Sequence, residues 1–261
     1  SWKSGSRLLQ SDGHPRLHAR RWVFISALGV GQICSWGSLY YAFPLIAEQI
    51  EQEMGWTRTS LYGAASIGLL LAAVASFPIG RAIDRGRGRL IMTGGSVLAG
   101  LLLLAWSQVN DLVGLYAIVG LLGALQAATL YEPAFAVVAR RFGASHARGA
   151  ITSLTLWGGF ASTVFIPLIQ LLINTGGWRG ALVTLGIINL TLCAGLYLAA
   201  IHPDADFEHA KPKANADHPP PQHVRIAPLL LAPAREEPAA QQRVADPHRL
   251  ELGLDERRRD A

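Results

Sequence analysis

The sequence predicts an all-α polytopic membrane protein with six transmembrane helices and a disordered C-terminal tail. The chain of 261 residues is 51% hydrophobic and only 16% charged, which is too apolar for an average soluble domain. Residues 22–201 carry nine Lys or Arg and six Asp or Glu, whereas the other 81 residues carry 14 and 12. A block of low charge between two polar ends indicates that the middle of the chain lies in a membrane.

The first three spans are predicted at residues 22–46, 61–79 and 90–106. The first begins at Trp22 after two arginines, and the second is bounded by Arg58 and Arg81. The third begins after Arg89 and ends at Trp106, and a tryptophan at a span end is typical of the aromatic belt at a membrane surface. Each run is close to the ~20 residues that a helix needs to cross the hydrocarbon core.

The last three spans are predicted at residues 112–138, 151–173 and 181–201. The fourth ends just before Arg140, the fifth begins after Arg148, and the sixth begins after Arg179. Only helices or closed barrels satisfy every backbone group inside a bilayer, and these runs are too long for the strands of a barrel. The six spans therefore form an all-α bundle over residues 22–201.

The charges of the connecting segments predict the orientation. The N-terminal segment, the connection between spans two and three, and that between spans four and five carry 12 basic residues. The opposite side carries only Arg58 and Arg179. By the positive-inside rule, both termini are expected to be cytoplasmic in a multi-pass protein of the cell inner membrane, with residues 1–21 as a cytoplasmic segment. The net charge of +5 is thus explained by orientation and contact with anionic lipid, and no nucleic-acid partner is expected.

Residues 202–261 predict a polar, proline-rich, disordered cytoplasmic tail. They hold nine of the 14 prolines and five of the eight histidines, a composition that cannot bury a core. The irregular spacing of these histidines favours a solvated tail over a metal site. We expect neither a metal ion nor a cofactor, since the sequence also contains no phosphate-binding loop.

One acidic residue, Glu132, lies deep in the fourth span. It precedes Arg140 by eight residues, which is roughly 12 Å along a helix. An ionisable group at that depth costs about 2.5 kcal/mol or more unless it faces a cavity or a partner. Two interpretations stay open: a proton-coupling carboxyl, or a structural carboxyl next to the helix irregularity that Pro133 imposes.

Uncharged polar residues on the first and fourth spans could line a path. Gln32, Trp36 and Tyr40 recur at i, i+4 and i+8, so an ideal helix places them on one face. Gln126 lies on the fourth span. The alternative for each residue is a hydrogen bond between helices, worth about 0.6 kcal/mol on average.

The segment between the second and third spans clusters four arginines and one aspartate between residues 80 and 89. It resembles the loop between helices two and three of major facilitator superfamily transporters, usually written G-x-x-x-D-R-x-G-R-R. The matching residues are Gly80, Asp84, Arg85 and Arg89. Arg87 stands where the later glycine is expected, with Gly86 and Gly88 on either side. The resemblance implies that Gly80 allows close helix approach and that Asp84 and Arg85 form a charge network that latches one transport state.

This resemblance implies the fold and function of one six-helix half of a major facilitator transporter. Such a protein is a secondary transporter that works by alternating access and is driven by a gradient. In that family the first and fourth helices line the central cavity. The implied contacts for a small-molecule substrate, with protons as a possible second partner, are therefore Gln32, Trp36, Tyr40, Gln126 and Glu132. The runs Leu130–Phe135 and Ile83-Asp84-Arg85 are similar to the bacterial monocarboxylate or oxalate–formate branch, so a monocarboxylate is the expected substrate, possibly by symport.

Other function classes fit the sequence less well. An intramembrane Ser–His protease needs a histidine in a span, yet the only histidine in residues 22–201 is His146, between the fourth and fifth spans. We therefore do not expect an enzyme. Only one six-helix half is predicted, and the Ala/Pro/Arg-rich residues 223–261 suggest a truncated or frameshifted product. The missing C-terminal half or a second copy is then needed, and the alternatives are a half-transporter that works as a pair or a non-transporting membrane protein.

Overall fold

The computed structural model describes residues 15–202, with side chains described for residues 21–143 and 147–202. The predicted disordered tail and most of the predicted N-terminal segment lie outside these residues. The described part is all-α and contains no strand. Its helices are α1 (Pro15–Trp36), α2 (Ala42–Met54), α3 (Arg58–Asp84), α4 (Gly88–Trp106), α5 (Leu112–Thr129), α6 (Tyr131–Gly159), α7 (Ala161–Ile188) and α8 (Ala194–Ala200), with π-helical turns at Gly37–Tyr41 and Asn189–Cys193.

Five continuous helical stretches are long and apolar enough to cross a membrane: Arg21–Met54, Arg58–Asp84, Gly88–Trp106, Leu112–Gly143 and Ala147–Ala200. The last has 54 residues, or roughly 80 Å of helix, which is more than twice a hydrocarbon core of about 30 Å. It is interrupted at Gly177, whose φ of 67° is non-helical. The stretch therefore contains two crossings, and we refer below to six spans, the fifth ending and the sixth beginning at Gly177.

The helices extend beyond several predicted boundaries. The first span continues to Met54, where Gly55 ends it with a φ of 66°. The second span reaches Asp84 and α4 begins at Gly88, so most of the segment expected to be a loop is helical and only residues 85–87 connect the two helices. The loop expected around His146 is shorter than predicted, because two helical segments meet at a kink at Gly143 (φ 68°) and the residues that follow it are already helical. Glycine tolerates such positive φ values without steric cost, which allows sharp turns between nearly continuous helices.

The six spans meet at two ends that differ in charge. At the basic end, Arg141 Nη1 donates to the Ala200 carbonyl at 3.0 Å, and Arg140 Nη1 donates to the Asp84 carbonyl. At the opposite end, Arg179 Nη1 donates to the Ser107 carbonyl at 2.8 Å. Successive connections therefore alternate between the two ends, as six antiparallel crossings require.

The second and fourth spans pack at backbone distance. A Cβ added at Gly123 would lie 2.2 Å from the Gly68 carbonyl oxygen, so only glycine fits at this crossing. Small residues allow such close approach where lipid removes the hydrophobic drive for helix association. The first span is the most enclosed of the six, whereas most of the second span is exposed and apolar.

Candidate functional site

A cavity of about 350 Å³ opens between the first, second and fourth spans. Trp36 lines it from the first span, Ser76 from the second, and Gln126, Tyr131 and Glu132 from the fourth. Three of the five residues predicted from sequence to contact a solute, Trp36, Gln126 and Glu132, thus line one cavity. The cavity combines a carboxylate, an amide, two hydroxyls and an indole, a set that can donate and accept hydrogen bonds.

The fourth span is broken beside this cavity, and the predicted single helix over residues 112–138 is wrong at this point. Helix α5 ends at Thr129, Leu130 is extended (φ −82°, ψ −155°), and α6 begins at Tyr131. Pro133 has no N–H to donate to the Thr129 carbonyl four residues earlier. Gln32 replaces that donor, because its Nε2 lies 2.9 Å from the Thr129 oxygen.

An equivalent contact runs in the opposite direction, from the fourth span to the first. The π-helical turn Gly37–Tyr41 disturbs the regular backbone bonding of the first span, and Pro44 removes another donor one turn later. Gln126 Nε2 donates to the Leu39 carbonyl at 3.0 Å. Gln32 and Gln126 therefore each donate a hydrogen bond to a backbone carbonyl in the irregular part of the other span. We call these two contacts the amide clamp.

Aromatic rings pack around the broken helix. The Trp36 ring lies 5.3 Å from that of Tyr40 and 4.9 Å from that of Tyr131, between centroids. Tyr131 in turn stacks on Phe135 at 5.1 Å. The Nε1 of Trp36 is enclosed and has no hydrogen-bond partner among the described residues. An unsatisfied buried donor costs about 1–3 kcal/mol, which the packing of the surrounding rings must offset.

Glu132 occupies the first turn of α6, next to the break. Its side chain is exposed to the cavity, and no described residue bonds or pairs with it. The N-terminus of a helix carries a partial positive charge that favours a nearby carboxylate. The break therefore explains how an acidic residue is tolerated at this depth, although sequence alone indicated only Pro133 as the cause of an irregularity.

The other two predicted contact residues lie elsewhere. Tyr40 lines a neighbouring cavity that shares Gln126 with the first. Gln32 is fully buried, with its Nε2 also 3.2 Å from the Tyr197 hydroxyl. The π-helical turn changes the register of the face that an ideal helix would give to Gln32, Trp36 and Tyr40. Contact between any of these residues and a solute stays a prediction.

A polar ladder joins the first and sixth spans behind the cavity. Ser35 shares a hydrogen bond of 3.1 Å with the Tyr197 hydroxyl, and Asn189 Nδ2 donates to Ser38 Oγ at 2.7 Å. All four side chains are buried. Asn189 begins the second π-helical turn, so both π-helical turns lie at this contact.

The arginine-rich motif at the basic end, residues 80–89, includes a helix C-cap. Gly86 has a φ of 83°, its N–H donates to the Ile83 carbonyl at 2.8 Å, and the Arg87 N–H donates to the Ala82 carbonyl at 3.1 Å. This pair of bonds is a Schellman motif, which requires a left-handed residue at the position of Gly86. The glycine that is displaced from the family pattern therefore makes the turn. Gly88 is buried against Val137, where a Cβ would come within 2.6 Å of that side chain.

The remaining motif residues are placed as follows. Nothing lies within 4 Å of a Cβ added at Gly80, so the close approach expected there is not made within the described residues. Asp84 and Arg85 are exposed, and the Asp84 carboxylate forms no ion pair with a described residue. Arg89 is half-buried, and its Nε has no partner in the part of the chain that the structure describes. The latch function of these four residues stays a prediction.

A second polar network closes the opposite end. Trp178 Nε1 donates to Glu53 Oε2 at 2.7 Å, and Arg179 lies 3.7 Å from the same carboxylate. Arg179 Nη2 also donates to Asn110 Oδ1 at 2.9 Å. Sequence reasoning found no role for Glu53, and the only available signal was an acidic residue at a helix end facing the side that carries Trp178 and Arg179.

Comparison with known families decides the identity of the bundle. The family model described as Major Facilitator Superfamily matches residues 28–244, which include all of spans two to six. The chain belongs to the Major Facilitator Superfamily. This membership agrees with the all-α membrane fold predicted from sequence and with a transporter family rather than an enzyme family.

Curated relatives within the superfamily carry the name monocarboxylate transporter. Monocarboxylate transporter 11 of Homo sapiens is 36% identical over 191 residues, which cover 70% of this chain and 39% of the relative. Monocarboxylate transporter 13 of Rattus norvegicus is 35% identical over 174 residues, which cover 66% and 38%. Monocarboxylate transporter 2 of Mus musculus is 27% identical over 187 residues, which cover 68% and 38%. The chain thus spans about two fifths of the length of these curated relatives.

Proposed function

We propose that this chain is the N-terminal six-helix half of a secondary active transporter that moves a small organic anion, such as a monocarboxylate, by alternating access. The observation that carries the proposal is the cavity between the first, second and fourth spans, where Trp36, Gln126 and Glu132 meet at a broken helix. Irregular backbone at membrane depth is tolerated only where it is enclosed by protein or lines a cavity. The names of the relatives support the solute class.

Glu132 gives the site a means of coupling to protons. A solute carboxylate that enters the cavity brings a second negative charge into the space that Glu132 lines. Two like charges at close range disfavour the doubly ionised state, so binding of the anion favours uptake of one proton. By thermodynamic linkage, the proton then favours binding of the anion to the same extent. This reciprocity is the basis of proton symport.

The path is completed by a second six-helix unit. The second span exposes a continuous apolar surface that includes Leu70, Val74 and Phe77, and lipid or another bundle must cover it. The second unit is either a C-terminal half encoded with this one or a second copy of the chain. A membrane protein that binds no solute is the alternative function.

The orientation is part of the proposal. Arg21 lies over the Phe142 ring at 5.0 Å, and Arg141 contacts the Ala200 carbonyl, so both termini of the described helices lie at the basic end. The positive-inside rule places this end in the cytoplasm. In a bacterial cell the protein then occupies the inner membrane.

The test is uptake of radiolabelled lactate and pyruvate by proteoliposomes under an imposed pH gradient. Two preparations are compared: the 261-residue chain, and the longest product translated from the same locus in any forward frame. We expect uptake by the longer product, or by the short chain if chemical cross-linking captures it as a dimer. Uptake no greater than that of empty liposomes in both preparations would exclude monocarboxylate transport.

Substitution of Glu132 tests the coupling. Glu132→Gln removes the carboxylate, so uptake should lose its response to the pH gradient while exchange of labelled for unlabelled solute continues. Glu48→Gln is the matched control, because Glu48 is also exposed but lies on α2, away from this cavity. If the Glu132 variant keeps full pH-driven uptake, another group carries the proton.

A further inference from the structure

A second cavity, of about 230 Å³, lies beside the first and has a different chemical character. Tyr40, Phe43, Tyr62 and Trp106 form one part of its wall, aliphatic residues form much of the rest, and Gln126 is the only amide among the described lining residues. We call it the aromatic cavity, and the cavity that Glu132 lines the polar cavity. Gln126 belongs to both, so the two cavities follow one another along the groove between the first, second and fourth spans.

The wall of the aromatic cavity is fixed by ring packing. The Phe43 ring meets that of Tyr62 edge to face, with centroids 5.5 Å apart, and lies 6.0 Å from the Trp106 ring. Trp106 is buried. Packed rings keep the shape of the wall, and most of the lining residues are apolar, so the cavity offers few hydrogen bonds to water.

The volume of the aromatic cavity suits a planar apolar group. An apolar cavity of about 150 Å³ accepts benzene in an engineered protein, so a cavity of about 230 Å³ accommodates a phenyl or indolyl group. A solute with only a few carbon atoms would leave it empty. The bond from Gln126 Nε2 to the Leu39 carbonyl holds this amide at the junction, where an apolar compartment gives way to a polar one.

We propose that the preferred solute is amphipathic: an aryl-substituted monocarboxylate whose ring fills the aromatic cavity and whose charged end occupies the polar cavity. The carboxylate in this assignment rests on the proposed function, whereas the ring rests on the lining and volume of the aromatic cavity. Burial of a phenyl-sized group contributes roughly 10- to 100-fold in affinity. The solute therefore binds through its ring as much as through its charge.

The experiment measures binding to the purified 261-residue chain in lipid nanodiscs by isothermal titration. The probes are 3-phenylpropionate, propionate and 2-phenylethanol, which carry a ring and a carboxylate, a carboxylate alone, and a ring alone. We expect 3-phenylpropionate to bind at least ~10-fold more tightly than either of the other two. Equal affinity for 3-phenylpropionate and propionate, or no binding of either, would overturn the inference.

Variants that fill the aromatic cavity provide the structural control. Ala65→Leu and Leu69→Trp each add bulk to its wall from the second span, and Leu69 is exposed enough to tolerate a larger side chain. Both should remove the preference for 3-phenylpropionate over propionate. Ala117→Leu, on an exposed surface of the fourth span outside both cavities, should keep it. A preference that survives both filled variants would place the ring elsewhere and refute the assignment.

The probes also separate this inference from the proposed function. If propionate and 3-phenylpropionate bind equally and both are transported, the monocarboxylate function stands and the aromatic subsite is refuted. If 2-phenylethanol binds as tightly as 3-phenylpropionate, the aromatic subsite is supported, but recognition of a carboxylate, and with it the proposed function, is contradicted.

Discussion

Substitution of Gln32 by leucine tests the amide clamp that supports the broken fourth span. Leucine has nearly the volume of glutamine but cannot donate, so the change removes hydrogen bonds without opening a large cavity. Gln32 Nε2 lies 2.9 Å from the Thr129 oxygen, 3.3 Å from the Leu130 oxygen and 3.2 Å from the Tyr197 hydroxyl. The side chain is fully buried, so water cannot replace these bonds.

Two routes give overlapping magnitudes for this loss. The Gln32 amide has two N–H donors, and two hydrogen bonds at the average of ~0.6 kcal/mol between membrane helices sum to about 1 kcal/mol. Leaving one backbone carbonyl unsatisfied in a buried site costs about 1–3 kcal/mol, and Thr129 has no alternative donor because residue 133 is proline. For a bundle of this size, a loss of about 2 kcal/mol lowers the unfolding midpoint by roughly 4–8 °C.

The assay is thermal unfolding in detergent, followed with a thiol-reactive fluorophore. Cys34 and Cys193 are the only cysteines of the chain and both are buried, so their labelling reports unfolding. Gln170→Leu is the matched control, because Gln170 is exposed and, among the residues that the structure describes, its side chain bonds only to Asn174 on the same helix. The free energy of unfolding of the Gln170 variant should differ from that of the wild type by less than about 0.5 kcal/mol. A Gln32 variant as stable as the wild type, or a Gln170 variant equally destabilised, would refute the reasoning.

Three further substitutions, with Gly80→Ala as a control, test other contacts by the same unfolding assay. Gly123→Ala places a Cβ 2.2 Å from the facing glycine carbonyl of the second span and should cost about 1–3 kcal/mol; a neutral effect would mean that this crossing is looser than described. Gly86→Ala strains a left-handed residue by about 1–2 kcal/mol, whereas Gly80→Ala, with open space around its Cβ, should be neutral or stabilising. If the Gly86 and Gly80 variants have the same stability, the C-cap is wrongly assigned. Trp178→Phe loses the bond to Glu53 and should destabilise by about 1 kcal/mol, since that carboxylate is half exposed; no change would show that this network is dispensable.

The bundle could be predicted from the sequence because the bilayer imposes strict rules. Spans three to six begin or end near the expected residues, since apolar length and flanking arginines determine where a helix can cross. The extension of the first span to Met54 could not be predicted in this way. Residues 47–54 are amphipathic and continue the helix beyond the apolar run, and the helix ends only where Gly55 adopts a positive φ.

The site was predicted in part. Polarity at membrane depth and the resemblance to the major facilitator family suggested Trp36, Gln126 and Glu132 as candidates, and the structure places these three around one cavity. The same reasoning could not show that Gln32 lies outside the cavity. A buried glutamine that bonds to a broken helix looks the same in the sequence as a glutamine that contacts a solute. The break depends on Pro133 and on the Gln32 amide, which donates to the Thr129 carbonyl 97 residues later in the chain. This contact arises only in the folded bundle, so the sequence does not reveal it.

Accessibility of the polar cavity tests the central claim most directly. A cysteine at Ser76, which lines the cavity, is compared with one at Val74, which is exposed two residues away on the same span but lies outside it. Cys34 and Cys193 are buried and contribute little background. We predict that a membrane-impermeant thiol reagent labels the Ser76→Cys protein, that a monocarboxylate protects it, and that the Val74→Cys protein is not labelled. A Ser76→Cys protein that resists the reagent, or that is labelled equally with and without solute, would contradict a solute path through this cavity.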